Sequence, residues 1–299
     1  MVAIVILTLN FTLSCSEEAV PAWVGDMGPG AKQLWNRASA LGLDPDIVHE
    51  MMAGINSGNR RTEEVQGLIE SCKEDGVDIV AFLQQMVQDP VLPKGGPHWD
   101  EGISEMDVLR WLARASNPSV DEWLLTFAKT RLTGCVVQSE DDVRYLNGLL
   151  TVLGKMRRDE TLEFLLEVQS AEFWKSDESP KLNLPPVGGI DSSRRNLGAK
   201  SQFRQSAINA ISLTATPKAI EILGTGREVS PDLHGMLDDC FLLAVRHHVG
   251  VYGFPEWYGA KLPKEKLAQI KEIYAEYGKT YTPIKENKRE QRMSPPHHP

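Results

Sequence analysis

The chain has four cysteines, Cys15, Cys72, Cys135 and Cys240, and no C-x-x-C pair among them. The ligand spacing of a structural zinc site and the attachment motif of a c-type haem are therefore excluded. There is no G-x-x-x-x-G-K-[ST] loop to cradle phosphates, and Gly188-Gly189 lacks the spacing of a dinucleotide fingerprint. There is no G-x-S-x-G elbow and no H-E-x-x-H helix, which removes the common serine-hydrolase and zinc-protease signatures. Positive charge is scarce: 32 Lys and Arg stand against 41 Asp and Glu, for a net charge of −9. No nucleic-acid partner is expected, because phosphate binding needs a basic surface. The apolar run at residues 2–13 falls short of the ~20 residues that span a bilayer. What remains is an ordinary folded composition, 41% hydrophobic and 24% charged. Cys72, Cys135 and Cys240 fall in helical patterns and read as small buried hydrophobes.

What is present is internal repetition. Residues 112–125 (LARASNPSVDEWLL), 153–166 (LGKMRRDETLEFLL) and 211–224 (ISLTATPKAIEILG) align on one template, spaced by 41 and then 58 residues. Each reads as the end of one amphipathic helix, a tight turn and the start of a second. A fourth pair aligns 43 residues before the first, placing Ile69 with Leu112, Cys72 with Ala115, and Val77-Asp78 with Val120-Asp121. Removing an insertion of about 17 residues from the longest step restores the common period. One such pair cannot bury its apolar face alone and must stack on a neighbour.

Local signals place the helices. Asp44-Pro45-Asp46 starts one, with Ile47, Met51, Met52 and Ile55 on one face. Thr62 starts the next, with Val65, Leu68, Ile69 and Cys72 inward, and 77–87 is its partner. Residues 89–102 carry Pro90, Pro93 and Pro97 and are expected as loop. A helix from Ser104 leads to the Asn117-Pro118 turn and a stripe of Val120, Trp123, Leu124 and Phe127. Ser139 with Asp142 forms an N-cap signal, followed by Val143, Leu146, Leu150 and Leu153 at helical spacing. Thr216-Pro217 opens the last template turn, and Pro217 aligns with Pro118 and Asp159. Further helices are expected at 232–248 and 264–277, with Gly278 as a stop.

The turn segments, above all 213–223 (LTATPKAIEIL) with Arg204 and Ala207, resemble HEAT or HEAT-like repeats over roughly residues 61–225. The resemblance implies an all-α, right-handed superhelical α-solenoid with irregular ends. It also implies a scaffold that binds another protein or peptide along a groove. Some HEAT-like proteins are enzymes, the bilin lyases among them, and nothing in this chain points to a bilin. At the N-terminus, residues 2–13 suit the apolar region of a signal peptide. Leu13-Ser14-Cys15 followed by Ser16-Glu17-Glu18 resembles a bacterial lipoprotein signal, which implies that Cys15 is lipidated. The alternative is a short buried element at the start of a cytosolic protein.

The expected organisation is a signal-like segment at 1–14, a flexible tether at 15–30, a helical repeat domain at 31–278 and a disordered tail at 279–299. An irregular Pro/Gly-rich insertion is expected at 178–199. The expected function is non-catalytic protein binding or scaffolding in the cell envelope, with no cofactor and no metal. The candidate binding residues are Arg194 and Arg195 in the insertion, with Tyr252, Phe254, Trp257 and Tyr258 in an aromatic turn. That turn reads either as a binding surface or as the cap that seals the last repeat. The alternative function is a metal-binding or enzymatic helix at 232–248, where His234 and Asp238 share one face near His247 and His248. His247 and His248 also suit the negative end of a helix dipole.

Overall fold

The structure, a computed structural model, describes residues 20–26, 28–57, 62–74, 76–89, 92–94, 103–115, 117–252 and 261–282. Among the described residues it is all-α in character, with 70% helix and few strands. Two compact units divide the chain, Met1–Val108 and Leu109–Pro299. The stretch 31–278, expected as one domain, crosses that division. The signal-like segment and Cys15 lie outside the described residues, as does the tail beyond Thr282.

The first unit holds α1 (Ala22–Asp26), α2 (Pro29–Ala40), α3 (Pro45–Ser57), α4 (Thr62–Glu74) and α5 (Ile79–Gln88). The tether expected at 15–30 therefore carries helix at its end. Pro29 is tolerated there because the first turn needs no amide hydrogen from it. Trp23 sets its ring edge-on to Trp35 at 5.3 Å and lies 4.5 Å from the His49 ring. Leu34, Met51, Met52, Ile55, Val65, Cys72, Leu83 and Met86 make the core of this unit, and Ile69 is only half-buried. The end of α5 is tied to α2 by the ion pair Arg37–Asp89 at 3.0 Å.

Helix α6 (Glu105–Leu112) opens with a reciprocal cap. The Ser104 amide donates to Asp107 Oδ2 at 3.1 Å and the Asp107 amide donates to Ser104 Oγ at 3.3 Å. In the second unit follow α7 (Pro118–Leu132), α8 (Glu140–Lys155) and a 3-10 turn (Asp159–Thr161) that leads into α9 (Leu162–Gln169). Then come α10 (Ser192–Thr214), α11 (Pro217–Thr225), α12 (Leu237–His248) and α13 (Lys264–Glu276). Three of the N-caps are those the sequence marks. Asn117 accepts from the Ser119 amide, Ser139 and Asp142 form a full capping box, and Thr216 accepts from the Ala219 amide. The apolar face of α7 buries Val120, Leu124, Ala128 and Leu132, while Trp123 and Phe127 stay half-buried and stack on each other at 5.3 Å.

Helix α10 packs against α8, α9 and α12, and α12 also packs against α11. The approach of α8 to α10 is close because Gly154 faces the α10 backbone. A Cβ at that position would lie 2.4 Å from the Ala210 carbonyl oxygen. Buried polar links join successive pairs. Arg204, 8% exposed, donates to the Gln169 carbonyl at 2.7 Å and to both oxygens of Asp232 at 2.5 and 2.8 Å. Gln169 donates to the Glu228 carbonyl and accepts from the Ser230 amide.

Two expectations change in detail. The insertion is irregular only as far as Asp191, because that side chain accepts from the Ser193 amide and starts α10 at Ser192. It is also anchored: β1 (Val136–Val137) pairs in parallel with β2 (Lys181–Leu182), and the Leu184 amide donates to Asn196 Oδ1 at 3.0 Å. The helix expected at 232–248 is a 3-10 turn, Pro231–Met236, followed by α12. Asp232 lies in that 3-10 turn, and its side chain reaches across to Arg204.

Candidate functional site

The three template turns of the second unit lie side by side. Arg158, just before the Asp159–Thr161 turn, donates from Nε to Asp121 Oδ2 of α7 at 2.7 Å. Asp159, the next residue, accepts from Thr216 Oγ1 at 2.6 Å. Each turn is thus joined to the next by one side-chain bond, through residues far apart in sequence.

Beside the first of these bonds lies a cavity of about 440 Å³. Pro118, Leu125 and Met156 give it apolar walls; Asp121, Glu122, Arg158, Glu160 and Thr161 supply polar groups. The Asp121 side chain is 10% exposed, and its Oδ1 is buried with no hydrogen-bond partner. Burial pushes this carboxyl above the usual carboxylate range, Arg158 pulls it down, and Glu160 adds a smaller push upward.

A second concentration of charge is cationic. Arg110 and Arg114 lie at the end of α6, Lys155 and Arg157 at the end of α8, and Arg246 and His247 at the end of α12. Cations there complement the negative ends of the helix dipoles. Their crowding shows in the acid–base chemistry. Lys155 is lowered by burial and then by Arg114 and Arg110. His247 is lowered to about 4 by burial, then by Arg157, Arg246 and Lys155, so its ring is neutral at pH 7. Arg157 adopts a left-handed backbone, φ 58°, and places its guanidinium 5.1 Å from the centre of the Tyr252 ring.

The expected binding residues divide. Arg194 is exposed on the first turn of α10. Arg195 is not available in the same way: it donates to Glu140 Oε1 at 2.9 and 3.1 Å and to the Pro185 carbonyl at 2.6 Å. Close to Arg194 in sequence, Val187 is 52%, Ile190 53% and Leu197 64% exposed. Arg194 and Leu197 lie three residues apart on α10, while Val187 and Ile190 precede the helix and bridge to each other across the Gly188-Gly189 turn, φ 57° and 81°. Tyr252 is 63% exposed and lies 5.4 Å from the His247 ring. Phe254, Trp257 and Tyr258 lie outside the described residues.

The candidate metal pair is separated by its own bonds. His234 Nε2 meets the Val229 carbonyl at 3.1 Å, and Asp238 pairs with Lys279 at 2.9 Å. Among the described residues no group of three His, Cys, Asp or Glu is placed to hold a metal ion. Cys240 is no nucleophile at neutral pH, since burial raises its thiol to about 12. Sequence reasoning missed the Asp121 cavity. The one available signal was that Asp121 and Arg158 both flank aligned turns.

No protein-family model, no curated protein and no solved structure matches this chain.

Proposed function

We propose that the chain is a non-catalytic scaffold of HEAT-like helix pairs that binds another protein, and that it works in the cell envelope. The observation that carries this reading is the ladder of turns. The segments 112–125, 153–166 and 211–224, aligned on sequence alone, meet side by side through Arg158–Asp121 and Asp159–Thr216. Stacked helix pairs of this kind extend as an α-solenoid, an architecture suited to presenting a long surface. The surface we assign to the partner is the insertion end of α10, where exposed Arg194 and Leu197 lie on the helix and exposed Val187 and Ile190 lead into it. Exposed apolar side chains together with a cation have the composition of a binding patch rather than of ordinary surface. The envelope location rests on the signal-like run at 2–13 and on Cys15, whose lipidation would anchor the chain. No helix among the described residues is long and apolar enough to cross a membrane.

The test is site-specific photo-crosslinking of the full chain in its native host. A crosslinker at Leu197 should yield one discrete protein adduct that is lost with Arg194→Glu. A crosslinker at Glu221, exposed on α11, should not yield it. Absence of any adduct at Leu197, or the same adducts at both positions, refutes the assigned surface. The mass of the mature chain in membrane and soluble fractions tests the location separately. A membrane species starting at Cys15 with added acyl mass is expected, and a soluble species retaining Met1 refutes export.

A further inference from the structure

We infer that the corner formed by Lys155 and Arg157 at the end of α8, with His247 and Tyr252 at the end of α12, binds a phosphomonoester. The inference goes beyond the scaffold reading and stands without it, because it uses only these side chains and the cations around them. The Arg157 guanidinium lies 5.1 Å from the centre of the Tyr252 ring, and the His247 ring lies 5.4 Å from that same ring. Lys155 joins the group, within electrostatic reach of His247 and of Arg110 and Arg114 at the end of α6. Cations from α6, α8 and α12 thus gather in a chain whose net charge is −9. Among the described residues, neither the Lys155 ammonium nor the Arg157 guanidinium has a hydrogen bond or an ion pair. The helix dipole accounts for cations near these ends, yet Lys155 donates to no carbonyl there. Lys155 is also half-buried, so its ammonium gives up water in a place already crowded by positive charge. The carboxylates that follow in sequence do not answer it: Asp159 accepts from Thr216, and Glu160 lines the cavity beside Asp121. A bound anion completes the arrangement.

The donors define the class of anion. Lys155 offers a point charge with several N–H groups, and a cation–π contact engages the charge of Arg157 without consuming its N–H groups. The neutral His247 ring adds one more N–H. Two cations without an ion pair, in the added field of Arg110 and Arg114, exceed what a single carboxylate balances. A phosphomonoester carries about −1.5 to −2 charges near pH 7 and presents several acceptor oxygens, so it answers both the charge and the donors. Tyr252, 63% exposed, leaves an aromatic surface for the group that bears the phosphate. A free phosphate compound has this chemistry, and so does a phosphorylated side chain of a partner.

The experiment is calorimetric titration of the full chain, at matched ionic strength, with inorganic phosphate, a short blocked phosphoserine peptide, its unphosphorylated serine form, and acetate. Phosphate or the phosphopeptide should bind at one site per chain, while the serine peptide and acetate should bind at least about tenfold more weakly. Tighter binding of the phosphopeptide identifies a phosphorylated partner as the source, and binding of phosphate at least as tight identifies a free phosphate compound. Lys155→Gln should reduce the affinity at least about tenfold. Arg157→Asn, which supplies a side chain tolerant of the left-handed backbone at φ 58°, should reduce it severalfold. The Arg157 variant keeps the test decisive if Lys155→Gln does not fold. Arg227→Gln, at an exposed cation past the other end of α11, should leave binding unchanged. Phosphate should also raise the pKa of the His247 ring, followed by NMR, because a bound anion opposes the cations that hold it down. Phosphate and phosphopeptide binding no tighter than acetate, or unchanged in both the Lys155 and Arg157 variants, overturns the inference; so does no binding up to about 10 mM.

Discussion

Gly154→Ala should destabilise the second unit, although the same exchange in an open helix stabilises. An alanine Cβ at Gly154 would stand 2.4 Å from the Ala210 carbonyl oxygen, 2.9 Å from its Cα and 3.0 Å from its carbonyl carbon. Ordinary contact begins near 3.4 Å, so α8 and α10 must separate by about 1 Å. The obstacle is backbone and cannot swing aside as a side chain would. Overpacking of this kind costs ~1–3 kcal/mol, and a clash with main chain belongs at the upper end. The gain in helix propensity from glycine to alanine returns ~1 kcal/mol. The net loss is then ~2 kcal/mol, or roughly 4–8 °C in melting temperature for a unit of this size. Gly198, on the exposed side of α10 with nothing within 4 Å, is the control. Gly198→Ala should raise stability by ~0.5–1 kcal/mol. The two compact units can melt separately, so hydrogen exchange of α8 and α10 should be followed beside circular dichroism. If Gly154→Ala melts at or above the parent with α8 and α10 exchange unchanged, the close packing of these helices is wrong.

Further substitutions test the links between pairs. Ser139→Ala removes the acceptor of the Asp142 amide at the start of α8 and should cost ~1 kcal/mol in urea unfolding, with no loss refuting the capping role. Arg204→Met should cost ~2–4 kcal/mol, because it strips the Gln169 carbonyl of its 2.7 Å donor, whereas Asp232→Ala at the exposed end of the same bond should cost much less. Equal losses would contradict that division. Stability should also fall as the pH drops from about 6.5 to about 4. His247 is lowered to about 4 in the folded chain; near its ordinary value of 6.5 in the unfolded chain, it binds more protons there across this window. The full difference corresponds to ~3 kcal/mol, reduced to roughly 1–2 kcal/mol because the ring is partly exposed and screened. His247→Gln should flatten this part of the profile, and an unchanged slope would remove His247 as its source.

The places where helices begin were legible because their chemistry is local. Asn117-Pro118, Ser139 with Asp142 and Thr216-Pro217 each satisfy orphan amides within four residues, so a short window of sequence contains the whole cap. The start of α10 was missed for a related reason. The prolines and the paired glycines of the insertion end at Gly189, yet the polar run after them reads as loop until Asp191 is seen to cap Ser193. Arg194 was identified as a surface cation from its setting, and it is exposed. Arg195 carries the same residue type one position on and is held down by Glu140, 55 residues earlier.

Sequence by itself determined an all-α chain, several of its helix starts and the alignment of its turns, since propensity, capping and period depend on near neighbours. Only the tertiary structure decided which side chains meet. Asp121 finds Arg158 across 37 residues, and Gln169 finds Ser230 across 61. Those distances are closed by the path of the backbone through the stacked helices. No window of sequence carries that path. The buried oxygen of Asp121 and the cavity beside it follow from the same closure, so the most specific chemistry in this chain exists only once the turns are brought together.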